Sequence, residues 1–270
     1  MISPQVDRNG GCLMAIVKLA KKRLRRAQSL YWEHTRPLFC QVLAPPDARR
    51  VLVLSPHIDD DVIGCGGVIR QHADAGAAVV SAYLREGGAV RESEARRAAE
   101  IIGVTEVRFL RWGPPAYSRR WGPVPTTRSQ IPIQQDTIET LRALIEATRP
   151  EVLYTPFFLD PHPDHASATY LLDAALSSCQ TPIERLYLYE VWGPLVPDVL
   201  IDITKQADVK RRAISAHCSQ VKNINMGEGI LGLNRYRAEM NRIRGYAEAF
   251  MRVTPGELKK ILRATDFHGP

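Results

Sequence analysis

The sequence lacks any apolar run approaching the roughly 20 residues needed to cross a bilayer. Its first residues, MISPQVDRNGGCLMAIV, lack the charged-then-apolar pattern and small-residue cleavage site of a secretory signal. Cysteine is sparse and unpaired in spacing: Cys12, Cys40, Cys65, Cys179 and Cys218 are scattered and odd in number. That argues against a disulfide framework and a cysteine-rich zinc site. Reduced thiols in a cytoplasmic protein are the expectation. No internal repeat or interdomain linker is visible. Broad basic character is also missing, despite a net charge of +7. Six positive charges (Lys18, Lys21, Lys22, Arg23, Arg25, Arg26) fall in one stretch, KLAKKRLRR, and the remainder is nearly balanced. Nucleic acid is therefore not an expected partner. What is present is 270 residues at 45% hydrophobic content, enough for one sizeable core.

Residues 1–45 read as an N-terminal region. Residues 1–13 are expected to be a disordered leader. Ile16, Ala20, Leu24, Ala27 and Tyr31 then recur at helical spacing, with a basic opposite face. Such a helix could lie on an anionic membrane surface or pack on its own domain with its charges solvated. Residues 46–270 read as a single domain in which strands alternate with helices. Strands are expected at 51–54, 77–84, 106–112, EVLYTP, RLYLYEVW and VLIDIT. Helices are expected at 62–75, through SEARRAAEIIG, at 137–149, and around 165–178, 205–217 and 234–252. This alternation predicts an α/β fold, Rossmann-like, with a mostly parallel sheet flanked by helices.

Two loops carry the chemistry. VLVLSPHIDDDVIGCGG leaves a strand and at once sets His57 beside Asp59, Asp60 and Asp61. LDPHPDHASA follows the strand VLYTP and holds His162, Asp164 and His165. In an open α/β sheet, ligands bind beyond the carboxyl ends of strands, so the two loops could converge. Gly64, Gly66 and Gly67 would let the following helix approach the sheet closely.

Three adjacent carboxylates repel one another, and a divalent cation would relieve that repulsion. His57 and Asp60 are three residues apart, so one turn can aim both at an ion, and His165 could be a third ligand. Two imidazoles and a carboxylate leave open positions, as in catalytic zinc sites. Asp59, adjacent but unbound, would be placed as a general base, and His162 could face the substrate. Simpler roles exist: carboxylates complement a helix N-terminus, and single histidines are often structural. A magnesium phosphohydrolase favours oxygen-only ligands. A non-haem iron oxygenase shares the two-histidine, one-carboxylate set.

The pair of motifs, His57-Ile58-Asp59-Asp60-Asp61 and His162-Pro163-Asp164-His165, resembles those of the PIG-L / LmbE-like family of metal-dependent N-acetylglucosamine deacetylases. RESEARRAAEIIGV and YEVWGPLVPDVLIDIT with the later AHCSQ also look like family segments, so the likeness spans most of residues 50–220. The resemblance implies zinc ligands His57, Asp60 and His165, with Fe2+ or another divalent ion able to take the same place. It implies Asp59 as general base, His162 as oxyanion stabiliser oriented by Asp164, and Arg91 as a sugar contact. The implied activity is removal of an N-acetyl group from a small amino-sugar substrate. An amidase acting on another N-acyl group, or a non-catalytic membrane-associated carbohydrate binder, is the alternative. The chain departs from the motif at Ile58, where the family has proline, and at Asp61, where it has glutamate. Trp112, Tyr117 and Trp121 could stack on a sugar or simply pack their loop. His217, in AHCSQ, could reach the substrate pocket or be buried structurally.

Overall fold

Val51 and Val53 face one side of their strand, and Leu52 and Leu54 the other; all four are buried. A strand apolar on both faces belongs in the middle of a sheet covered by helices on each side. The computed structural model describes residues 40–85, 87–112, 134–222 and 224–265. The expected leader, the basic helix over 16–31, Tyr117 and Trp121 lie outside the described residues.

The chain order is β1 (Gln41–Leu43), β2 (Arg50–Ser55), α1 (Asp60–Asp74), β3 (Ala78–Arg85), α2 (Gly88–Ile102), β4 (Glu106–Trp112), α3 (Gln135–Thr148) and β5 (Val152–Pro156). It continues with α4 (Pro163–Leu176), β6 (Arg185–Tyr189), β7 (Val199–Asp202), α5 (Ala207–Ala216), α6 (Met226–Met240), β8 (Ala247–Val253) and α7 (Pro255–Thr265). One eight-stranded sheet runs β1-β7-β8-β6-β5-β2-β3-β4. Every pairing is parallel except those of β8, which lies antiparallel between β6 and β7. The α/β, mostly parallel expectation holds. The strand β1 lies ahead of the boundary expected at residue 45.

The sheet separates two cores. On one face, α1, α2 and α5 bury Val62, Ile69, Ala98, Ile102 and Ile214 against Val51, Val53 and Tyr154. On the other, α3, α4 and α7 bury Leu141, Ile145, Leu172 and Leu258 against Leu52, Leu54 and Leu153. A fully buried leucine or isoleucine contributes roughly 1.5–3 kcal/mol, so each layer is held by many such terms.

The helix expected over 234–252 is corrected. Helix α6 ends at Met240, Arg242 turns at φ 63° and Gly245 at φ 145°, and residues 247–253 form strand β8. A Cβ on Gly245 would sit 2.1 Å from Thr204 Oγ1, so only glycine fits there. AEAFMRV is rich in helix formers, but its place between two strands overrides propensity. Helix α7 was also not anticipated, although its start carries a capping box. The Thr254 N–H donates to Glu257 Oε2 at 2.7 Å, and the Glu257 N–H donates to Thr254 Oγ1 at 3.2 Å.

Candidate active site

The chain runs from β2 outward through β3 to β4, then returns to β5 on the other side of β2 and continues to β6. The β2–β5 boundary is therefore the point where strand order reverses, and a crevice opens there beyond the carboxyl ends. The two motif loops leave these two strands and start α1 and α4. Neighbouring parallel strands thus bring residues a hundred positions apart to one place.

Three donor atoms meet in that crevice. His57 Nδ1 is 3.2 Å from Asp60 Oδ2 and 3.2 Å from His165 Nε2, which is itself 3.3 Å from Asp60 Oδ2. Zinc–ligand bonds of about 2.0–2.1 Å set tetrahedral donor atoms about 3.3 Å apart, so the triangle already has the right size for one ion. The outer nitrogen of each ring is held. His57 Nε2 donates to Asp164 Oδ2 at 3.2 Å, and His165 Nδ1 donates to Asp160 Oδ1 at 2.8 Å. A carboxylate on the far nitrogen leaves the inner lone pair directed at a metal.

Charge in the triangle follows from this geometry. Burial would depress His57, but the Asp60 carboxylate overrides it and pushes the imidazole up to about 10. Burial likewise opposes, and Asp60 wins, at His165, raised to about 9. Asp60 is held well below the usual carboxylate range, against its burial, by His165 and His57. Without a metal, protons supply the positive charge the site requires. Metal uptake is accordingly expected to release protons and to weaken as pH falls. Calorimetry in buffers of different ionisation enthalpy would count them.

His162 is the N-cap of α4 and lies edge-on to His57, ring centroids 4.6 Å apart. Ring nitrogens of His57, His162 and His165 lie within 4.8 Å of one another, so all three could be considered ligands. The backbone N–H of Asp164 selects one tautomer of His162. It donates to His162 Nδ1 at 3.2 Å, which fixes the proton of a neutral ring on Nε2. Burial, aided by the charges on His57 and His165, lowers His162 to about 4, so the neutral ring prevails. An Nε2–H is a donor and not a ligand. Asp60 therefore fits the third position better.

Asp59 starts α1 without using its side chain as a cap, and its carboxyl takes a hydrogen bond from its own backbone. Burial and the neighbouring Asp60 raise it to about 6. Asp61 turns away from the triangle. It accepts from Ser81 Oγ and Tyr83 Oη, 2.8 Å each, and from the Val62 N–H, and it fastens α1 to β3. Ile58 is buried against Tyr83 and Ala95.

Asp164 was expected to orient His162; its backbone N–H meets that ring, but its carboxylate holds His57. Its Oδ2 takes the His57 proton, while Oδ1 accepts from Arg85 Nε at 3.1 Å and Nη2 at 2.6 Å. Two supporting residues were missed from sequence. Arg85 closes strand β3, and its position at a carboxyl end was the available signal. Asp160 stands two residues before His162 and accepts from the backbone N–H groups of His162, Trp192 and Gly193 as well as from His165. Replacing Asp160 with asparagine is expected to weaken metal affinity about 10–100-fold, measurable by chelator competition.

The three expected substrate residues differ in placement. Arg91 is exposed on the first turn of α2, close enough for its charge to lower Asp59. Trp112 pairs with Arg85 across β3 and β4 but packs against the second core. His217 is buried at the end of α5, with neither ring nitrogen hydrogen-bonded among the described residues, and burial lowers it to about 4.

Residues 52–176, which span both motif loops, match the family model described as PIG-L: GlcNAc-PI de-N-acetylase. Over that stretch the chain is similar to the PIG-L family. Among similar proteins, diacetylchitobiose deacetylase from Thermococcus kodakarensis is 28% identical over 64% of this chain and 71% of its own length. The 1D-myo-inositol 2-acetamido-2-deoxy-alpha-D-glucopyranoside deacetylase of Actinosynnema mirum is 28% identical over 69% and 84%. In fold, the chain is similar to N,N'-diacetylchitobiose deacetylase from Pyrococcus horikoshii, with a TM-score of 0.63, 22% identity and coverage of 77% and 85%. It is also similar to GalB, the 4-carboxy-2-hydroxymuconate hydratase of Pseudomonas putida KT2440, with a TM-score of 0.61, 24% identity and coverage of 76% and 97%. A hydratase on the same fold means that architecture alone does not choose the chemistry. Among the described residues, no helix is long and apolar enough to cross a membrane.

Proposed function

We propose that this chain is a divalent-metal-dependent N-deacetylase that hydrolyses the acetamide of an N-acetylated amino sugar and releases acetate. The observation that carries the reading is the donor triangle of His57 Nδ1, Asp60 Oδ2 and His165 Nε2, with edges of 3.2–3.3 Å. Two imidazoles and one carboxylate suit zinc in an open, catalytic coordination. Fe2+ accepts the same ligand set. The deacetylase relatives support the reaction type.

A bound ion of this kind supplies Lewis acidity, polarising the acetamide carbonyl and making a water more acidic. The chain's own residues do the rest. Asp59, ionised near neutral pH and uncommitted to other groups, takes the proton of the attacking water. His162, neutral and protonated on Nε2, donates to the oxygen that becomes negative at the tetrahedral stage. Such a donor lowers the barrier by roughly 3 kcal/mol. Asp59 then returns its proton to the sugar nitrogen as acetate departs. Asp164 and Asp160 hold the two ligand rings in place. Arg91, at the rim, meets the hydroxyls of the sugar.

The test joins metal analysis of the purified protein to a panel of N-acetylated amino sugars, free and conjugated, assayed for released acetate. A stoichiometric divalent ion and acetate release that stops with chelator are expected. Cleavage of other N-acyl amides with no acetate from any sugar would overturn the substrate assignment.

A further inference from the structure

Helix α1 is broken in its middle. Cys65 has φ −141° and ψ 21°, outside the helical region. Residues before the break carry Asp60 and Asp61, and residues after it continue to Asp74. A break strands backbone N–H groups just beyond it, as at any helix start. Here the N–H groups of Gly67 and Val68, two and three residues past Cys65, donate to Oε1 and Oε2 of Glu248, at 2.8 Å each. These are the positions that an N-cap side chain serves. The cap comes instead from strand β8, and a carboxylate suits the positive end of the new helical segment.

Lys210 of α5 completes the arrangement, with Nζ 2.6 Å from Glu248 Oε1. Both side chains are fully buried. As a source of stability alone, a buried ion pair is commonly matched by apolar residues of similar size. What it adds is direction: a two-pronged grip on two consecutive amides and a fixed cation behind it. The glycines leave the helix little freedom to move inward. A Cβ on Gly64 would lie 2.1 Å from Tyr189 Cδ2, and one on Gly67 would lie 2.6 Å from Ile203 Cγ2. The helix rests on the sheet, and Glu248 sets where it restarts.

We infer that Glu248 and Lys210 are positioning residues for the metal site: they fix the phase of the broken helix so that Asp60 meets His57 and His165. This rests on the reading of those three residues as ligands. Among the described residues, neither Glu248 nor Lys210 hydrogen-bonds His57, Asp60 or His165. Their effect passes through α1.

The experiment compares zinc affinity, by competition with a chromophoric chelator, and metal-free thermal stability in wild type, E248Q, K210M and K210R. L262A serves as a control, since Leu262, on α7, is buried in the opposite core. E248Q and K210M are expected to lose about 10–100-fold in zinc affinity, the range for residues that orient ligands. K210R, which keeps the charge, is expected to stay close to wild type. L262A is expected to melt earlier with unchanged affinity. Zinc affinities of E248Q and K210M within twofold of wild type would overturn the inference, whatever their melting temperatures. Should E248Q fail to fold, the K210M and K210R pair decides alone. A wild type that binds no zinc overturns the ligand reading first, and is distinguished by that result.

Discussion

Asparagine at position 59 is expected to reduce kcat by about 10²–10⁴-fold, the usual range for losing a general base, and to leave metal content at the wild-type level. Asp59 sits one residue from Asp60, yet its carboxyl belongs to neither the donor triangle nor the α1 cap. Asparagine keeps the shape and cannot accept the proton. Its pH profile gives a second reading of the same residue. Burial and Asp60 raise Asp59 to about 6. The base acts only when ionised, so wild-type kcat should fall as pH drops through the group's titration. A bound cation stabilises the carboxylate and moves that limb below about 6. In the asparagine variant the residual rate should lose this limb. Depleted metal in that variant, or an unchanged acid limb, would remove Asp59 from the role of base. The smaller effect expected of Asp160→Asn, which changes affinity more than chemistry, separates supporting residues from reacting ones.

The parts of the site legible in the sequence are those whose meaning is local. His57, Asp59 and Asp60 share one turn, and His162, Asp164 and His165 share another. Each follows an apolar run that could only be a buried strand. Knowing that such loops end strands was enough to expect convergence. It was not enough to divide the labour among the side chains. Asp164 was expected to serve His162, but its carboxylate lies between His57 and Arg85, which arrives from β3. Asp61 looked like a third candidate carboxylate. Ser81 and Tyr83, twenty or more residues away, make it an anchor instead. The missed strand β8 has the same cause. AEAFMRV carries a glutamate and two alanines, which reads as helix in isolation. Only the gap between β6 and β7, and a lysine that meets Glu248 there, make it a strand. Information held across the sheet is not written in any one segment.

His165→Ala is the sharpest test of the ligand set, and it should abolish metal binding along with activity. His165 is fully buried and contributes two edges of the donor triangle. Removing it leaves His57 and Asp60, one turn apart, too few to hold an ion against dialysis. The loop itself should survive. Asp160 keeps three backbone donors, from His162, Trp192 and Gly193, so its carboxylate is not stranded. The alanine variant should therefore fold, while its response to metal disappears. A ligand present at a thousand times its Kd stabilises the native state by about 4 kcal/mol. For a domain of this size that corresponds to about 8–16 °C in Tm. Saturating zinc is expected to raise the melting temperature of the wild type by that order and to leave His165→Ala unmoved. His162→Ala provides the contrast: with its proton held on Nε2 by the Asp164 amide, it should keep the zinc-dependent shift and lose turnover. If His165→Ala retained full metal, or if His162→Ala lost it, the three imidazoles would have to exchange roles, and Asp60 would no longer be the anionic ligand.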